Sequence, residues 1–484
     1  MRHAAFASSF VSLAAVGLLA GCPDRSISEV LPEQGRVEAK DIPVNVNRDV
    51  DILFLIDDSQ SMADKQANLA ANFPKFINVL KTIQGGLPNV HIGVVTSDLG
   101  ARGADGVTAG AVSGCANAGK AGNMQLFTAM PLVSGGPFLS DIQPIDPTVP
   151  RSRNYTGNLE DVFALMAKAG STGCGFEQHL EAMKLALQPT NVVNQGFLRP
   201  DAFLAVIFIA DEDDCSMEHT TLLTPDTSVL GAQQSFRCTK YGILCDSGGS
   251  STAAMEVLGL KTKCHPNDAS AYLTKVSGYV DFLKGLKSDP RKVIVAGIMG
   301  KTDPFRVEKR APPNDPNTLF TALAHSCSYT GANGVEVADP AIRLKFFLDQ
   351  FPNRSTFAQI CQQDLSSGLQ QIGDLLKTVI GNPCIEGKLA DVDPVAPGPQ
   401  YDCAVSSVTD PGTALQQETL MPPCNATATN TPCWHLVPDM LDATTGEYKQ
   451  CPNSDHLMLT IEGKDALPTD THVIANCVTE VTNN

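Results

Sequence analysis

The sequence is poor in the features that usually announce a function. Only 18% of its residues are charged and 6% aromatic, tryptophan occurs once, and 52 acids against 35 bases leave a net charge of −17. Without a basic stripe to meet phosphates, nucleic acid is excluded as a partner. G-x-S-x-G, H-E-x-x-H and G-x-x-x-x-G-K-[ST] are all missing, and His91, His179 and His219 are scattered, reading as ordinary core or surface histidines. C-x-x-C is also missing and Cys264-His265 stands alone, which argues against structural zinc. Beyond the N-terminus no apolar run approaches the roughly 20 residues that a spanning helix needs. No internal repeat stands out.

What is present begins with an address. Arg2 and His3 precede an apolar run from Ala4 to Ala20, ending in Leu19-Ala20-Gly21-Cys22. A positive start, a short apolar segment and small residues before the cut describe a secretory signal over 1–21. The ending resembles a bacterial lipobox, which implies cleavage before Cys22, lipid on its thiol and attachment to a membrane of the bacterial envelope, the outer membrane or cell surface being favoured. There are 15 cysteines; assigning Cys22 to lipid leaves an even number for disulfides, in keeping with an exported protein. Residues 22–47 are polar without sustained period and read as a tether.

The chain of 484 residues has room for about two to four domains. Its organising stretch is Asp51 to Met62. Ile52-Leu53-Phe54-Leu55-Ile56 reads as a strand buried on both faces, and Asp57-Asp58-Ser59-Gln60-Ser61 follows where the strand ends. Asp57, Ser59 and Ser61 form D-x-S-x-S, one carboxylate and two hydroxyls within a turn of chain. Such hard oxygen donors, with room left for water, suit Mg²⁺.

The pattern resembles the metal-ion-dependent adhesion site of von Willebrand factor A (vWA) domains. The resemblance implies a Thr and an Asp from two later loops. Gly170-Ser171-Thr172-Gly173-Cys174-Gly175 looks like the loop that supplies the Thr, here Thr172, and the strand read over Asp201–Asp211 ends at Asp211, the match for the Asp. After it comes Glu212-Asp213-Asp214 where the family usually has Gly; this acidic turn, like Asp58, reads either as solvated or as the seat of a second ion. The implied cofactor is Mg²⁺, with Mn²⁺ or Ca²⁺ as substitutes. The implied partner is a protein that offers an acidic residue to the metal, and no catalysis is implied.

Alternation of strand and helix over 48–382 predicts an α/β, Rossmann-like, mostly parallel sheet with helices on both faces. Its strands are expected at 51–56, 91–96, 201–211 and 292–298, and its helices from Met62, near 159–166, from Phe176, over 269–286, from Ile342 and near 360–379. Pro74 is expected to kink the first helix or mark its start. Insertions are expected near 100–157, 212–266 and 300–335, with a bridge between Cys174 and Cys215 as a guess. Residues 383–484 hold six cysteines and short alternating runs, and read as a small disulfide-stapled β module in which Trp434 packs beside a disulfide. Two other readings stand beside the binding module. One is a structural envelope lipoprotein with no metal-dependent partner. The other is a Mg²⁺-dependent phosphoryl-transfer enzyme, disfavoured because position 59 is Ser where such enzymes of the haloacid-dehalogenase type carry D-x-D.

Overall fold

The computed structural model describes residues 36–43, 49–83, 86–101, 115, 119–144, 149–200, 202–288, 290–311, 317–331, 334–381, 385, 387–409, 416–438, 455–463, 466–468 and 471–480. The signal segment and Cys22 lie outside the described residues. Among the described residues no helix is long and apolar enough to cross a membrane. The chain divides into two units, one spanning the expected α/β region and one built mainly from the C-terminal residues.

The α/β unit is organised on β1 (Asp49–Ile56), whose apolar run leaves the backbone no partner but neighbouring strands. β1 pairs in parallel with β2 (Asn89–Thr96) and β5 (Phe203–Ile209). β5 pairs in parallel with β6 (Val293–Met299), and β6 with β7 (Ser355–Gln359). On the far side, β3 (Leu139–Ile142) and β4 (Ser152–Arg153) add as antiparallel edge strands. The sheet runs β7-β6-β5-β1-β2-β3-β4, seven strands and mostly parallel.

Side chains alternate across β1, so each face needs its own cover. Ile52, Phe54 and Ile56 meet α1 (Ala63–Lys81), α2 (Leu159–Met166) and α6 (Ser366–Gly381). Leu53 and Leu55 meet α3 (His179–Leu187), α4 (Val276–Gly285) and α5 (Ile342–Asp349). At the centre of the first face Phe54 lies edge-on to Phe73 and Phe76, with ring centroids 5.8 and 5.9 Å away, and 4.7 Å from Phe163. That cluster explains why α1 runs on through Pro74, which neither starts nor ends it. The proline forfeits one backbone hydrogen bond, while Phe73 and Phe76 beside it are fully buried.

Two helices begin later than the apolar spacing predicts, at His179 and Val276. The strands β3, β4 and β7 were not legible, being short or, in β7, half-buried throughout with a single large apolar residue. The expected insertions near 212–266 and 300–335 join: strands Phe320–Leu323, Phe305–Arg310, Gly259–Pro266 and Ile243–Ser247 form one antiparallel sheet in that order. Their disulfides differ from the guessed Cys174–Cys215 bridge. Cys174 pairs with Cys115 and Cys215 with Cys238, while Cys245 pairs with Cys264 and Cys327 with Cys361.

The second unit is a four-stranded antiparallel sheet. His472–Thr479 lies between Cys403–Thr409 and Arg36–Pro43, and Gln417–Met421 forms the other edge. Residues 36–43 are therefore a strand and not part of a tether. Their alternation is weak because Ile42 falls out of phase with Val37 and Ala39. A hairpin of Cys433–Pro438 with Leu457–Glu462 completes the unit. Cys403 pairs with Cys477 and Cys424 with Cys433; Cys384 and Cys451 lie outside the described residues. Trp434 follows the second of these bridges and donates its indole N–H to the Met421 carbonyl at 3.0 Å.

Candidate metal centre

The parallel register of β1 and β5 pairs Ile56 with Ile209 and so brings the next residues out at the same edge of the sheet. In open α/β sheets this edge is where ligands bind. Asp57 N donates to the Ile209 carbonyl at 2.9 Å, which prolongs the ladder by one step before the chain turns. Asp57 Oδ1 then accepts from Ser59 N at 2.7 Å and faces the Ser97 hydroxyl at 3.4 Å. That contact folds the D-x-S-x-S turn back on its own carboxylate and sets the Ser59 and Ser61 hydroxyls 3.1 Å apart. Asp57 and Asp211 are buried, whereas Ser61 is exposed.

The loop carrying Thr172 is fastened on both sides of that residue. Gln66 on α1 donates to the carbonyls of Asp57 and Gly170, each at 2.8 Å, and accepts from Gly170 N at 3.1 Å. Gly173 N donates to the Asp58 carbonyl at 2.8 Å, and a Cβ at 173 would fall 2.4 Å from Asp58 Oδ1, so only glycine permits the approach. Thr172 is exposed between these anchors.

The acidic run after β5 is not a solvated turn. Asp213 accepts from the backbone N–H groups of Ile342, Arg343 and Leu344 at 2.9–3.1 Å, capping α5. Asp214 pairs with Arg343 at 3.1 Å and accepts from Leu180 N at 2.9 Å, at the start of α3. These two acids join helices on one face of the sheet to the end of β5. Asp58 is paired with Lys120. Asp211 Oδ2 lies 3.0 Å from Lys65, a buried ammonium that also bonds Glu336 at 2.7 Å and the Ser61 carbonyl at 2.9 Å.

What is left unpaired defines the chemistry. Asp57 Oδ2 and Asp211 Oδ1 are buried and have no hydrogen-bond donor. Burial, and after it the charge of Asp211, holds the Asp57 carboxyl well above the usual carboxylate range. Burial, and then the charges of Glu212 and Asp57, does the same to Glu177. Burial together with Asp339 and Asp211 pushes Glu212 up to about 8, and burial pushes Asp213 up to about 6 against its three amide bonds. His179, fully buried with Nε2 3.9 Å from Asp57 Oδ2, is brought down to about 4 by burial, so its ring is neutral. Clustered carboxylates with open oxygens are what a hard divalent cation satisfies, and the neighbouring hydroxyls supply neutral donors. The residues present fit such an ion. Among the described residues no three His, Cys, Asp or Glu side chains converge tightly enough to hold a metal unaided, so hydroxyls and water must complete any sphere.

Sequence reasoning missed Lys65, Gln66, Lys120 and Glu177, and took His179 for an ordinary histidine. The first two sit on the α1 face that turns toward the loop, a position visible from helical spacing only once the loop is placed. Glu177 had one signal, an acid directly after Phe176, where the apolar spacing predicts a helix to begin.

No family model and no curated protein matches the chain. Among solved structures, the pilus adhesin RrgA from Streptococcus pneumoniae is similar at a TM-score of 0.23 and 11% identity, over 92% of this chain and 58% of that one. The chain thus spans less than two-thirds of that adhesin's length, and a likeness this slight carries no argument about fold or function.

Proposed function

We propose that the α/β unit is a vWA-like binding module of a lipid-anchored bacterial envelope protein. It would hold Mg²⁺, or Mn²⁺ or Ca²⁺, through Asp57, Ser59, Ser61, Thr172 and Asp211, and its partner is a protein that presents an acidic side chain. The observation that carries this reading is the pair of buried, donorless oxygens, Asp57 Oδ2 and Asp211 Oδ1, beside two hydroxyls 3.1 Å apart at one sheet edge. The bound ion would supply an electrophilic position for an external carboxylate, because three of its five protein donors are neutral hydroxyls and weaker than carboxylates. The protein's own share is positional. Ser59 N and the Ser97 hydroxyl orient Asp57, Gln66 locks the Thr172 loop to the Asp57 carbonyl, and Lys65 fixes one oxygen of Asp211. Attachment through Cys22 places the module at a membrane. No bond is made or broken, so the protein is not an enzyme in this account.

Calorimetric titration of Mg²⁺ and Mn²⁺ into the purified full chain tests it. An ion bound by the parent and lost in both Asp57→Ala and Thr172→Ala supports the reading. Absence of binding in the parent, with the fold intact, returns the protein to the structural class. Retention of the ion in Thr172→Ala alone removes Thr172 from the ligand set.

A further inference from the structure

The D-x-S-x-S turn borders a cavity of 660 Å³ that extends beneath the 212–266 insertion. Its lining includes Gln60 of the turn, Glu177 ahead of α3, Glu212 directly after Asp211, Ser235 of the insertion, and Asp339. Glu177 is 1% exposed, yet its Oε1 has no donor. Glu212 and Ser235 line the same cavity as Glu177. The basic side chains of the lining have other partners: Arg310 donates to Glu308 at 3.3 Å and to the Leu323 carbonyl at 2.5 Å, and His325 bonds Asp339 at 2.7 Å. A buried carboxylate oxygen with no donor, on a residue that lines a cavity together with a second carboxylate, is costly unless a cation is shared between them.

We propose that Glu177 and Glu212, with the Ser235 hydroxyl and cavity water, bind a second divalent cation distinct from the one at Asp57 and Asp211. Ca²⁺ is the favoured class, since it accepts six to eight oxygens in loose geometry and so tolerates two carboxylates, a hydroxyl and several waters. The site has a structural consequence. Glu177 and Glu212 belong to the sheet edge, whereas Ser235 precedes the helix Phe236–Gly242 that carries Cys238, whose disulfide to Cys215 already ties the insertion to that edge. The ion would thus add a second tie, holding the insertion against the turn that carries Ser59 and Ser61.

The experiment is calorimetric titration of Ca²⁺, and separately Mn²⁺, into the purified full chain and its variants, with circular dichroism to confirm folding. The parent should bind two ions. Glu177→Gln and Glu212→Gln should each lose one and keep the ion that Asp57→Ala removes. If those variants misfold, Ser235→Ala, which deletes only a neutral donor, should weaken the same ion by about tenfold. A single ion, lost in Asp57→Ala and indifferent to Glu177→Gln and Ser235→Ala, overturns the second site and leaves the first. A single ion lost in Glu177→Gln but kept in Asp57→Ala supports the second site and overturns the first.

Discussion

The two units solve the same problem, covering a sheet, with different means. The α/β unit buries both faces of its sheet under helices, and its four disulfides all have at least one cysteine outside the sheet and its covering helices. Among the described residues the C-terminal unit has two small core clusters, Val405, Met421, Leu459, Val473 and Ala475 in one and Ile385, Leu389, Leu457 and Cys477 in the other, and the Cys403–Cys477 bridge joins two paired strands directly. A disulfide therefore does different work in each. In the large unit it fixes the shape of loops around the sheet edge, and in the small one it replaces missing apolar area.

Breaking the large unit should require its core. Phe54→Ala removes the ring about which Phe73, Phe76 and Phe163 gather and is expected to cost about 3–5 kcal/mol, read from denaturant midpoints by circular dichroism. All helices among the described residues lie in this unit, so the helical signal reports on it. Breaking the small unit should require only a bridge. Cys403→Ser with Cys477→Ser is expected to cost about 2–5 kcal/mol, and the single tryptophan, Trp434, reports it by fluorescence while the helical signal stays in place. Equal losses in both signals would mean that the units do not unfold separately.

Smaller perturbations sharpen the contrast. Asp213→Ala uncaps α5 without touching the core and should cost about 0.5–2 kcal/mol in the helical transition alone. The smallest expected effect is one of pH. Burial lowers the pKa of His91, on β2 away from the metal edge, against the pull of the Phe197 carbonyl that it bonds. Between the lowered folded value and the ordinary 6.5 the unfolded chain binds the proton and the folded one does not. This contribution is complete above 6.5 and is lost as the pH falls through that window. His91→Gln should therefore flatten the acid slope of the α/β unit's stability, and an unchanged slope would mean that His91 does not titrate there.

Legibility followed the same divide. Long apolar runs such as Ile52–Ile56 and Phe203–Ile209 exposed the centre of the parallel sheet, and D-x-S-x-S marked the edge at which Asp57 and Asp211 emerge. What could not be read was whatever depends on partners distant in sequence. Asp213 and Asp214 look like solvated acids until Arg343 and the start of α5 are placed beside them. Arg36–Pro43 looks like a tether until His472–Thr479 pairs with it. Glu177 acquires meaning only when the 212–266 insertion closes a cavity over it.

The measurement that bears most directly on the central claim is thermal unfolding of the full chain, followed by both signals, in EDTA and in saturating Mg²⁺. An ion held at Asp57 and Asp211 should raise the helical transition alone, by about 2.7 kcal/mol at a hundredfold excess over its dissociation constant, and Asp57→Ala should erase that shift in a Glu177→Gln background, where the second site is absent. No shift in Glu177→Gln, or a shift there that survives Asp57→Ala, would contradict the account.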